Sequence, residues 1–396
     1  MVTSHEGRGE PGAAARRDGE GATAAGGAER EGFAGSVTEA VERLKQLHGR
    51  EQRGVLYVGI DLGTSRTAVA TSTGIRCSVS SFVGYPRDMV ARKALQRDVL
   101  FGDEALRHRL SVDLYRPLEH GVIKYSDGPG GASPLEVERN MQAAKDLIKH
   151  AVSLARPRGD ELIYGVIGCP AQASIRNKQC IIEAAREVLD SVVICSEPFA
   201  VAYGLDILED ALVIDIGAGT VDLCRMKGAM PDETDQITNR FAGDFIDREL
   251  YRRLRERLPD AQFTIHQIKA LKERYAFVTE HAEPVFATFP VRGKPRRFDV
   301  TEELRTACRS IIPPMIEGIE QLIGTFDPEF QERLRHNVVL GGGGSQIRGL
   351  GDYLEEALAE YGGARVRMVE EPVYAGANGA LAIARDMPED TWEELR

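Results

Sequence analysis

Two aspartate-centred glycine turns lie far apart in the chain, and their residue types could bind phosphate and a divalent cation. They read Asp61-Leu-Gly-Thr-Ser-Arg-Thr67 and Asp215-Ile-Gly-Ala-Gly-Thr-Val221, and each follows an apolar segment. Glycine lets a turning backbone approach a ligand closely, and successive N–H groups in such a turn form an anion-binding nest. Two facing nests would hold a polyphosphate. The two aspartates would hold Mg²⁺ through its water shell, because this hard cation takes oxygen ligands and keeps most of its waters.

A third glycine cluster, Gly341-Gly-Gly-Gly-Ser345, follows the apolar segment Val338–Leu340 and precedes an amphipathic stretch. A strand, a glycine turn and a helix start together suit a nucleoside or its phosphate. A single glycine-rich turn is more often a tight connection between elements than a ligand site. The functional interpretation therefore depends on the order of all three turns.

A carboxylate that could act on water follows another apolar segment. Val192–Cys195 is predicted as a strand, and it ends at Ser196-Glu-Pro-Phe199. Side chains at such a strand end, just before a helix, are where α/β proteins often place reactive groups. Glu197 could position or activate water, or it could simply be a helix-start carboxylate with Pro198 at the first helical position.

Buried strands and helices must position these turns. Val55–Ile60 and Ala211–Ile214 predict the strands that enter the two aspartate turns, and Leu162–Ile167 predicts a further buried strand. A long helix is predicted from about Pro134 to Leu154, and another is predicted to end at Val188.

The N-terminal region differs from the rest in composition. Residues 1–33 have hardly any large apolar side chains, so a disordered tail is predicted. A short amphipathic helix is predicted from Ser36 to about Leu47, which could dock on the body, bind a partner or touch a membrane. The glycine-rich segment Ser126–Ala132 is predicted as a loop.

Composition narrows the class of protein. The chain has 396 residues, 42% of them hydrophobic and 28% charged, which is typical of a soluble protein with two lobes. Its formal net charge is -11 and its pI is about 5.4, so nucleic acid is not an expected partner. The basic cluster Arg292–Arg297 is interpreted as a solvated hairpin.

Cysteine usage and hydropathy point to a cytoplasmic protein. The six cysteines contain no CxxC pair, which indicates reduced thiols and not a disulfide framework or a zinc site. No apolar run reaches the length of a membrane span, and the N-terminus lacks the hydrophobic core of a signal peptide.

Five motifs in order carry a family resemblance over residues 54–387. The three glycine turns resemble the first phosphate, second phosphate and adenosine motifs of the superfamily of actin, sugar kinases and heat-shock chaperone ATPases. Gly168-Cys-Pro-Ala171 and Gly376-Ala-Asn-Gly-Ala380 resemble its two connecting helices. The resemblance implies an α/β, two-lobed actin-like fold, with a ribonuclease H-like five-stranded sheet in each lobe and ATP with Mg²⁺ in the cleft.

Further segments resemble the polymerising branch of this superfamily. Pro117-Leu-Glu-His-Gly-Val122 and Leu271–Val278 are similar to segments of actin, and Gly243-Asp-Phe-Ile-Asp247 resembles a helix start of bacterial actins. Four stretches resemble the MamK-like magnetosome actins, namely Phe82–Asp88, Gly102–Ala105, Ser196–Phe199 and Gly344–Leu350. The tail before residue 54 and the glycine-rich loop depart from the pattern of relatives.

This resemblance implies an ATP-dependent cytoplasmic filament that aligns and positions magnetosomes, with magnetosome-associated adaptor proteins as partners. Hydrolysis of ATP to ADP is expected to be slow in the monomer and faster in the filament. The implied domains are a tail with a short helix (1–53), lobe I (54–195, with an insert at about 82–125) and lobe II (196–387, with an insert at about 243–300). The last helix of lobe II is expected to pack back on lobe I, and residues 388–396 to form a C-terminal tail.

The resemblance also assigns site residues. Glu197 would orient the attacking water, while Asp61 and Asp215 would complete the catalytic group and hold Mg²⁺ through water. Arg66 could reach a phosphate or face solvent. The residues assigned to the nucleotide are Gly63, Thr64, Ser65, Arg66, Gly217, Ala218, Gly219, Thr220, Gly243, Asp244, Lys272, Glu273, Gly342, Gly343, Gly344 and Ser345.

Other functions are compatible with the same nucleotide fold. A small-molecule kinase would need a carboxylate base facing an acceptor hydroxyl, and the sequence contains no independent substrate motif. A chaperone-like ATPase, a shape-related MreB-like protein and a non-polymerising scaffold are further alternatives. Consumption of ATP only in the presence of an added metabolite would indicate the kinase.

Overall fold

The computed structural model describes residues 54–125, 132–280 and 283–396. The predicted tail of residues 1–33 and the predicted helix at 36–47 lie outside the described residues, as do residues 126–131 of the predicted loop. Gly54–Arg396 forms one compact unit.

Strands and helices are interspersed along the described residues. The strands are β1 (Val55–Leu62), β2 (Arg66–Thr71), β3 (Arg76–Ser80), β4 (Val83–Pro86), β5 (Leu100–Phe101), β6 (Val112–Tyr115), β7 (Leu118–Glu119), β8 (Val122–Ile123), β9 (Leu162–Cys169), β10 (Ser191–Ser196), β11 (Glu209–Ile216), β12 (Val221–Lys227), β13 (Gln236–Asn239), β14 (Phe286–Val291), β15 (Lys294–Asp299), β16 (Val338–Gly341) and β17 (Val366–Met368). The helices are α1 (Met89–Leu95), α2 (Gly102–Arg107), α3 (Pro134–Leu154), α4 (Ile175–Ala185), α5 (Glu197–Gly204), α6 (Gly243–Arg257), α7 (Ile265–Tyr275), α8 (Thr301–Arg309), α9 (Ile312–Gly324), α10 (Gln331–Arg335), α11 (Leu350–Ala357), α12 (Ala375–Asp386) and α13 (Glu389–Glu394).

Two five-stranded sheets share one topology. The first has the order β3-β2-β1-β9-β10 and the second the order β13-β12-β11-β16-β17. In each sheet the central strand pairs antiparallel with the strand that follows it and parallel with a later strand. The repeated aspartate turns therefore reflect a repeated fold, since each turn joins the central strand to its antiparallel neighbour. The predicted two-lobed actin-like α/β fold is confirmed.

Each sheet has its own hydrophobic core, because apolar residues of its strands pack against amphipathic helices. The predicted helix at Pro134–Leu154 is confirmed as α3. Its N-terminus is a capping box in which Ser133 and Glu136 bond reciprocally, and Leu147 and Ile148 are fully buried against the first sheet.

Inserted elements extend both halves. β4, β5 and β6 form a small sheet with α1 and α2 nearby, and β14 pairs with β15 in the second half. The predicted hairpin at Arg292–Arg297 is confirmed. Arg292 and Gly293 both have positive φ at its turn, as a tight turn between twisted strands requires.

Helices α5 and α12 cross closely, and α12 also packs on β1. A Cβ atom on Gly379 would lie 1.7 Å from the carbonyl oxygen of Ala200, and one on Gly59 would lie 2.1 Å from that of Ala377. Only glycine permits such backbone approach. Residues 388–396, assigned to a tail by sequence, include α13, where Trp392 is fully buried and stacks on Tyr164 at 5.2 Å.

Candidate nucleotide site

A cavity of about 540 Å³ lies at the carboxyl ends of the two central strands. Both aspartate turns, the third glycine cluster and Glu197 contribute to it. Most of the residues that the sequence predicts for the site line this cavity. They are Asp61, Gly63, Thr64, Ser65, Arg66, Glu197, Asp215, Gly217, Ala218, Gly243, Lys272, Glu273, Gly342, Gly343 and Gly344. The predicted residues outside this lining are Gly219, Thr220, Asp244 and Ser345.

The first phosphate turn is held by hydrogen bonds from neighbouring segments. The hydroxyl of Ser81 donates to the carbonyl oxygen of Gly63 at 2.7 Å, and the backbone N–H of Gly121 donates to Thr64 Oγ1 at 2.7 Å. A Cβ on Gly63 would lie 2.5 Å from the carbonyl oxygen of Arg66, so a larger residue would force the turn open. The turn is thus a preorganised backbone loop directed at the cavity.

The second phosphate turn is closed on itself and then feeds a helix. The N–H of Gly217 donates to the carbonyl oxygen of Thr220 at 2.9 Å, and the N–H of Asp244 donates to that of Ala218 at 2.7 Å. A Cβ on Gly219 would lie 2.3 Å from Thr64 Oγ1. Gly219 therefore lets the two phosphate turns touch, in addition to any role in binding a ligand.

The third glycine cluster packs against the second turn. Gly342 has φ +71°, and a Cβ there would lie 2.5 Å from both Asp215 Oδ1 and the carbonyl oxygen of Ile216. The hydroxyl of Ser345 donates to the carbonyl oxygen of Gly342 at 2.7 Å, which places Ser345 behind the cavity wall. Glycine is therefore needed at position 342 for the cluster to pack beside the second turn.

The predicted nucleoside side of the cavity carries two residues of α7. Lys272 Nζ donates to the carbonyl oxygen of Gly243 at 2.9 Å and lies 2.8 Å from Asp247 Oδ1. This ion pair orients the lysine along the base of α6. Glu273 is exposed on the same helix and lines the cavity.

Four carboxylates cluster at the centre of the site. Burial raises the pKa of Asp61 to about 6, although its side chain retains contact with the cavity. Burial, followed by the charge of Asp222, raises the pKa of Glu197 well above its ordinary value. Burial and then the Asp61 charge raise the pKa of Asp215 in the same direction. So much buried negative charge favours either protonation or a cation.

Asp222 is a member of this cluster that sequence reasoning missed. It is fully buried on β12 and lies opposite Asp215 in the strand register. Its Oδ1 accepts from the N–H of Ala171 at 2.8 Å and from the hydroxyl of Thr238, while Oδ2 has no hydrogen-bond partner among the described residues. The available signal was its position seven residues after Asp215, which places both side chains on one face of the hairpin.

The donor set fits a hydrated divalent cation. Asp61 and Asp215 present hard oxygen atoms beside the phosphate turns, and an unpartnered buried carboxylate oxygen lies in the same cluster. Within residues 54–125, 132–280 and 283–396, no three acidic, histidine or cysteine side chains converge closely enough to hold a metal ion directly. Binding of Mg²⁺ through water at the two aspartates stays a prediction.

Arg66 takes a position between its two predicted alternatives. Its Nη1 donates to the hydroxyl of Ser78 at 3.2 Å on the exposed edge of the sheet, yet the residue also lines the cavity.

Across the described segments of the chain, no helix is long and apolar enough to cross a membrane.

Comparison with known proteins gives consistent matches over nearly all of the described chain. A model of the MreB/Mbl protein family matches residues 56–391. The actin-like protein MamK of Paramagnetospirillum magneticum strain AMB-1 is 40% identical over 340 residues, which cover 86% of this chain and 95% of that protein.

Two solved structures of MamK are similar at 40% sequence identity. A MamK double helical filament superposes with a TM-score of 0.80 and covers 85% of this chain and all of the other. A non-polymerising MamK mutant bound to AMPPNP superposes with a TM-score of 0.62 and covers 84% of this chain and all of the other.

Proposed function

We propose, since the chain belongs to the MreB/Mbl family and to the MamK group of actin-like proteins, that it is an ATP-dependent filament protein. It binds ATP with Mg²⁺ between its two lobes, hydrolyses it slowly and polymerises in the cytoplasm. The observation that carries this proposal is the meeting of two aspartate turns, a glycine cluster and Glu197 at one cavity. The MamK structures, one a filament and one bound to AMPPNP, support it.

The two phosphate turns would hold the polyphosphate through their N–H groups, with Thr64 and Ser65 adding side-chain hydroxyls. Gly342, Gly343, Gly344, Lys272 and Glu273 would surround the nucleoside. Gly219, Thr220, Asp244 and Ser345 would support these loops from outside the cavity lining. Bound Mg²⁺ would offset negative charge on the phosphates, since phosphoryl transfer depends mainly on placement and electrostatics.

We assign to Glu197 the role of orienting the attacking water and accepting its proton. It begins α5, directly after β10, and it is only 6% exposed. A Cβ on Gly168 would lie 3.4 Å from Glu197 Cγ, so the neighbouring strand end leaves room for this side chain. Burial and the neighbouring carboxylates raise its pKa, so a cation bound beside Asp61 and Asp215 would favour the ionised form that can accept a proton.

By analogy with MamK, the filament would align and position magnetosomes through adaptor proteins.

We also propose the domain limits stated above, with lobe I at 54–195, lobe II at 196–387, and α12 of the second lobe packed on β1 of the first. Filament growth requires a heterologous contact that does not close into a ring.

Sedimentation combined with electron microscopy tests the proposal. The full chain is incubated with ATP and Mg²⁺, with ATP and a chelator, or without nucleotide. Pelleted filaments that need ATP and Mg²⁺ are expected. Absence of filaments at every protein concentration would contradict the filament function, and ATP turnover that depends on an added metabolite would instead indicate a kinase.

A further inference from the structure

A single arginine joins the first phosphate turn to a helix of the other lobe. Arg116, between β6 and β7, donates from Nε to the carbonyl oxygen of Thr64 at 2.9 Å. Its Nη2 donates to Asp244 Oδ1 at 2.9 Å and lies 2.8 Å from Oδ2. Asp244 belongs to the first turn of α6. The planar guanidinium can hold both groups at once because its donors form a rigid fork.

A lysine makes a second contact between the same two regions. Lys269 projects from α7 and donates from Nζ to the hydroxyl of Ser65, the residue after Thr64 in the first phosphate turn. Two adjacent residues of this turn are therefore held by cationic side chains. Lys269 lies one helical turn before Lys272, so α7 contributes to both the nucleoside side and the phosphate side of the site.

Aromatic packing supports the lysine contact. Phe82, which precedes β4 and is 6% exposed, meets His266 of α7 edge to face at a centroid distance of 6.0 Å. Lys269 Nζ also lies 6.0 Å from the centre of the Phe82 ring. The insert of the first lobe and α7 of the second thus meet through more than one side chain.

These cations are held in a partly dehydrated setting. The side chains of Arg116 and Asp244 are 26% and 18% exposed, and that of Lys269 is 18% exposed. Burial, followed by the charge of Arg116, lowers the pKa of Lys269. The nearest carboxylate oxygen paired with Lys269 is Glu273 Oε1 at 3.8 Å. Charge-assisted hydrogen bonds are stronger in such surroundings than at an open surface, while lost partners cost more.

Neither cation lines the cavity, so both act through residues that do. We propose that Arg116, Asp244, Lys269 and Ser65 form an interlobe latch, in which Arg116 and Lys269 are positioning residues that hold the phosphate turns together and retain the nucleotide. The inference rests on the proposed binding of ATP between the lobes. Beyond that proposal, these four residues set the rate at which the nucleotide is released.

The physical reason is a difference between a closed and an open arrangement of the lobes. A nucleotide held between two lobes escapes when they part, and contacts made only in the closed arrangement lower the population of the open one. The two cations of the latch span the lobes from outside the cavity lining, so loss of their contacts favours opening. Nucleotide release should therefore accelerate more than nucleotide association changes.

A double-mutant cycle on the Arg116–Asp244 pair tests the latch. A fluorescent ATP analogue with Mg²⁺ is bound to the full chain at a concentration at which the protein does not sediment, and its release is followed by stopped flow after excess ATP is added. Arg116→Gln and Asp244→Asn should each raise the release rate about tenfold, as expected for a partly buried, charge-assisted hydrogen bond. The double variant should release nucleotide no faster than Arg116→Gln alone, because Asp244→Asn removes only an interaction that Arg116→Gln has already removed.

Matched variants separate the latch from general destabilisation. Arg87→Gln breaks an exposed arginine–aspartate pair, Arg87 with Asp113, in the same insert and should leave release unchanged. Arg116→Lys keeps the charge but cannot hold Thr64 and Asp244 together, so it should give an intermediate release rate. Lys269→Gln supplies an independent variant if Arg116→Gln does not fold, and it should accelerate release several-fold.

Release rates within about twofold of the unsubstituted protein in the Arg116 and Lys269 variants would overturn the latch. Independent effects that multiply to about a hundredfold in the double variant would also overturn it. If the unsubstituted chain binds no nucleotide at all, the proposed function fails instead, so the two failures are distinguishable.

Discussion

The two lobes are joined at two places of opposite character. At one, α12 of the second lobe packs on β1 of the first so closely that a Cβ on Gly59 would lie 2.1 Å from the carbonyl oxygen of Ala377. The crossing of α12 with α5 at Gly379 holds α12 in this position. At the interlobe latch, the contacts are made by the charged ends of long side chains. Backbone packing excludes water and admits one arrangement, whereas water can replace the partners of a partly exposed ion pair. One junction is built to persist and the other to open.

Breaking the crossing should have the largest effect. Gly379→Val adds branched carbons where even one Cβ would lie 1.7 Å from Ala200 O, so the free energy of unfolding should fall by at least about 4 kcal/mol. Urea denaturation of the purified variant measures this loss. Gly324→Val is the matched helical control, since no atom beyond its chain neighbours and its own helix backbone lies within 4 Å of a Cβ there. Similar stability of both variants would show that the crossing adapts easily.

Removing the anchor of the last helix should come next. Trp392 is fully buried, stacks on Tyr164, and donates from Nε1 to the carbonyl oxygen of Ala384 in α12 at 3.2 Å. Trp392→Ala should lower the free energy of unfolding by about 3–5 kcal/mol, because it leaves a large cavity beneath α12. Thermal and urea unfolding report the change. Leu395→Ala, at a 43% exposed position, should change stability little, and equal losses would argue against an anchoring role.

The third change asks whether the crossing helix also carries chemistry. Glu197→Gln keeps the shape of the residue that begins α5 but removes its basicity, so ATP hydrolysis should slow about a hundredfold or more. Binding of the nucleotide and unfolding should stay close to those of the unsubstituted chain. Phosphate release in single-turnover conditions gives the rate. A normal rate in a folded variant would remove Glu197 from the catalytic role.

The smallest expected effect is that of salt, which should act on one junction between the lobes and not on the other. Raising ionic strength from about 0.05 to 0.5 M screens exposed and partly exposed charges, so nucleotide release should accelerate about two- to threefold through the latch. The backbone contacts of Gly379 with Ala200 and of Gly59 with Ala377 involve no charged group to screen. Stopped-flow release at several salt concentrations is compared with the Arg116→Gln/Asp244→Asn variant, whose salt dependence should be weaker. Equal dependence in both proteins would place the salt effect elsewhere.

Much of the site could be predicted because it is encoded in short segments. A strand that ends in aspartate, followed by a glycine turn, specifies its own local geometry, so Asp61 and Asp215 were found from sequence. Asp222 was missed because one acidic residue in a buried strand has no distinctive local pattern. Its spacing from Asp215 was the only signal. Arg116 and Lys269 were missed because their partners Thr64, Ser65 and Asp244 lie far away in the chain.

The roles of the glycines also needed tertiary contacts. Gly219 and Gly342 were assigned to a ligand because glycine permits close approach to phosphate. In the folded chain each also makes room for another part of the protein, Thr64 in one case and Asp215 in the other. Sequence identifies where a side chain must be absent, but it does not say what occupies the space.

While the family resemblance of its five ordered motifs implied the two-lobed fold, the amino-acid sequence by itself determined the repeated turns and the position of Glu197 after a buried strand. These depend on hydrophobic periodicity and on the local conformations available to glycine and proline, which act over a few residues. Only the tertiary structure decided that four carboxylates share one centre and that the lobes meet through the rigid packing of α12 on β1 and through a polar latch. Those features depend on distances between segments that the chain brings together only when its cores are packed.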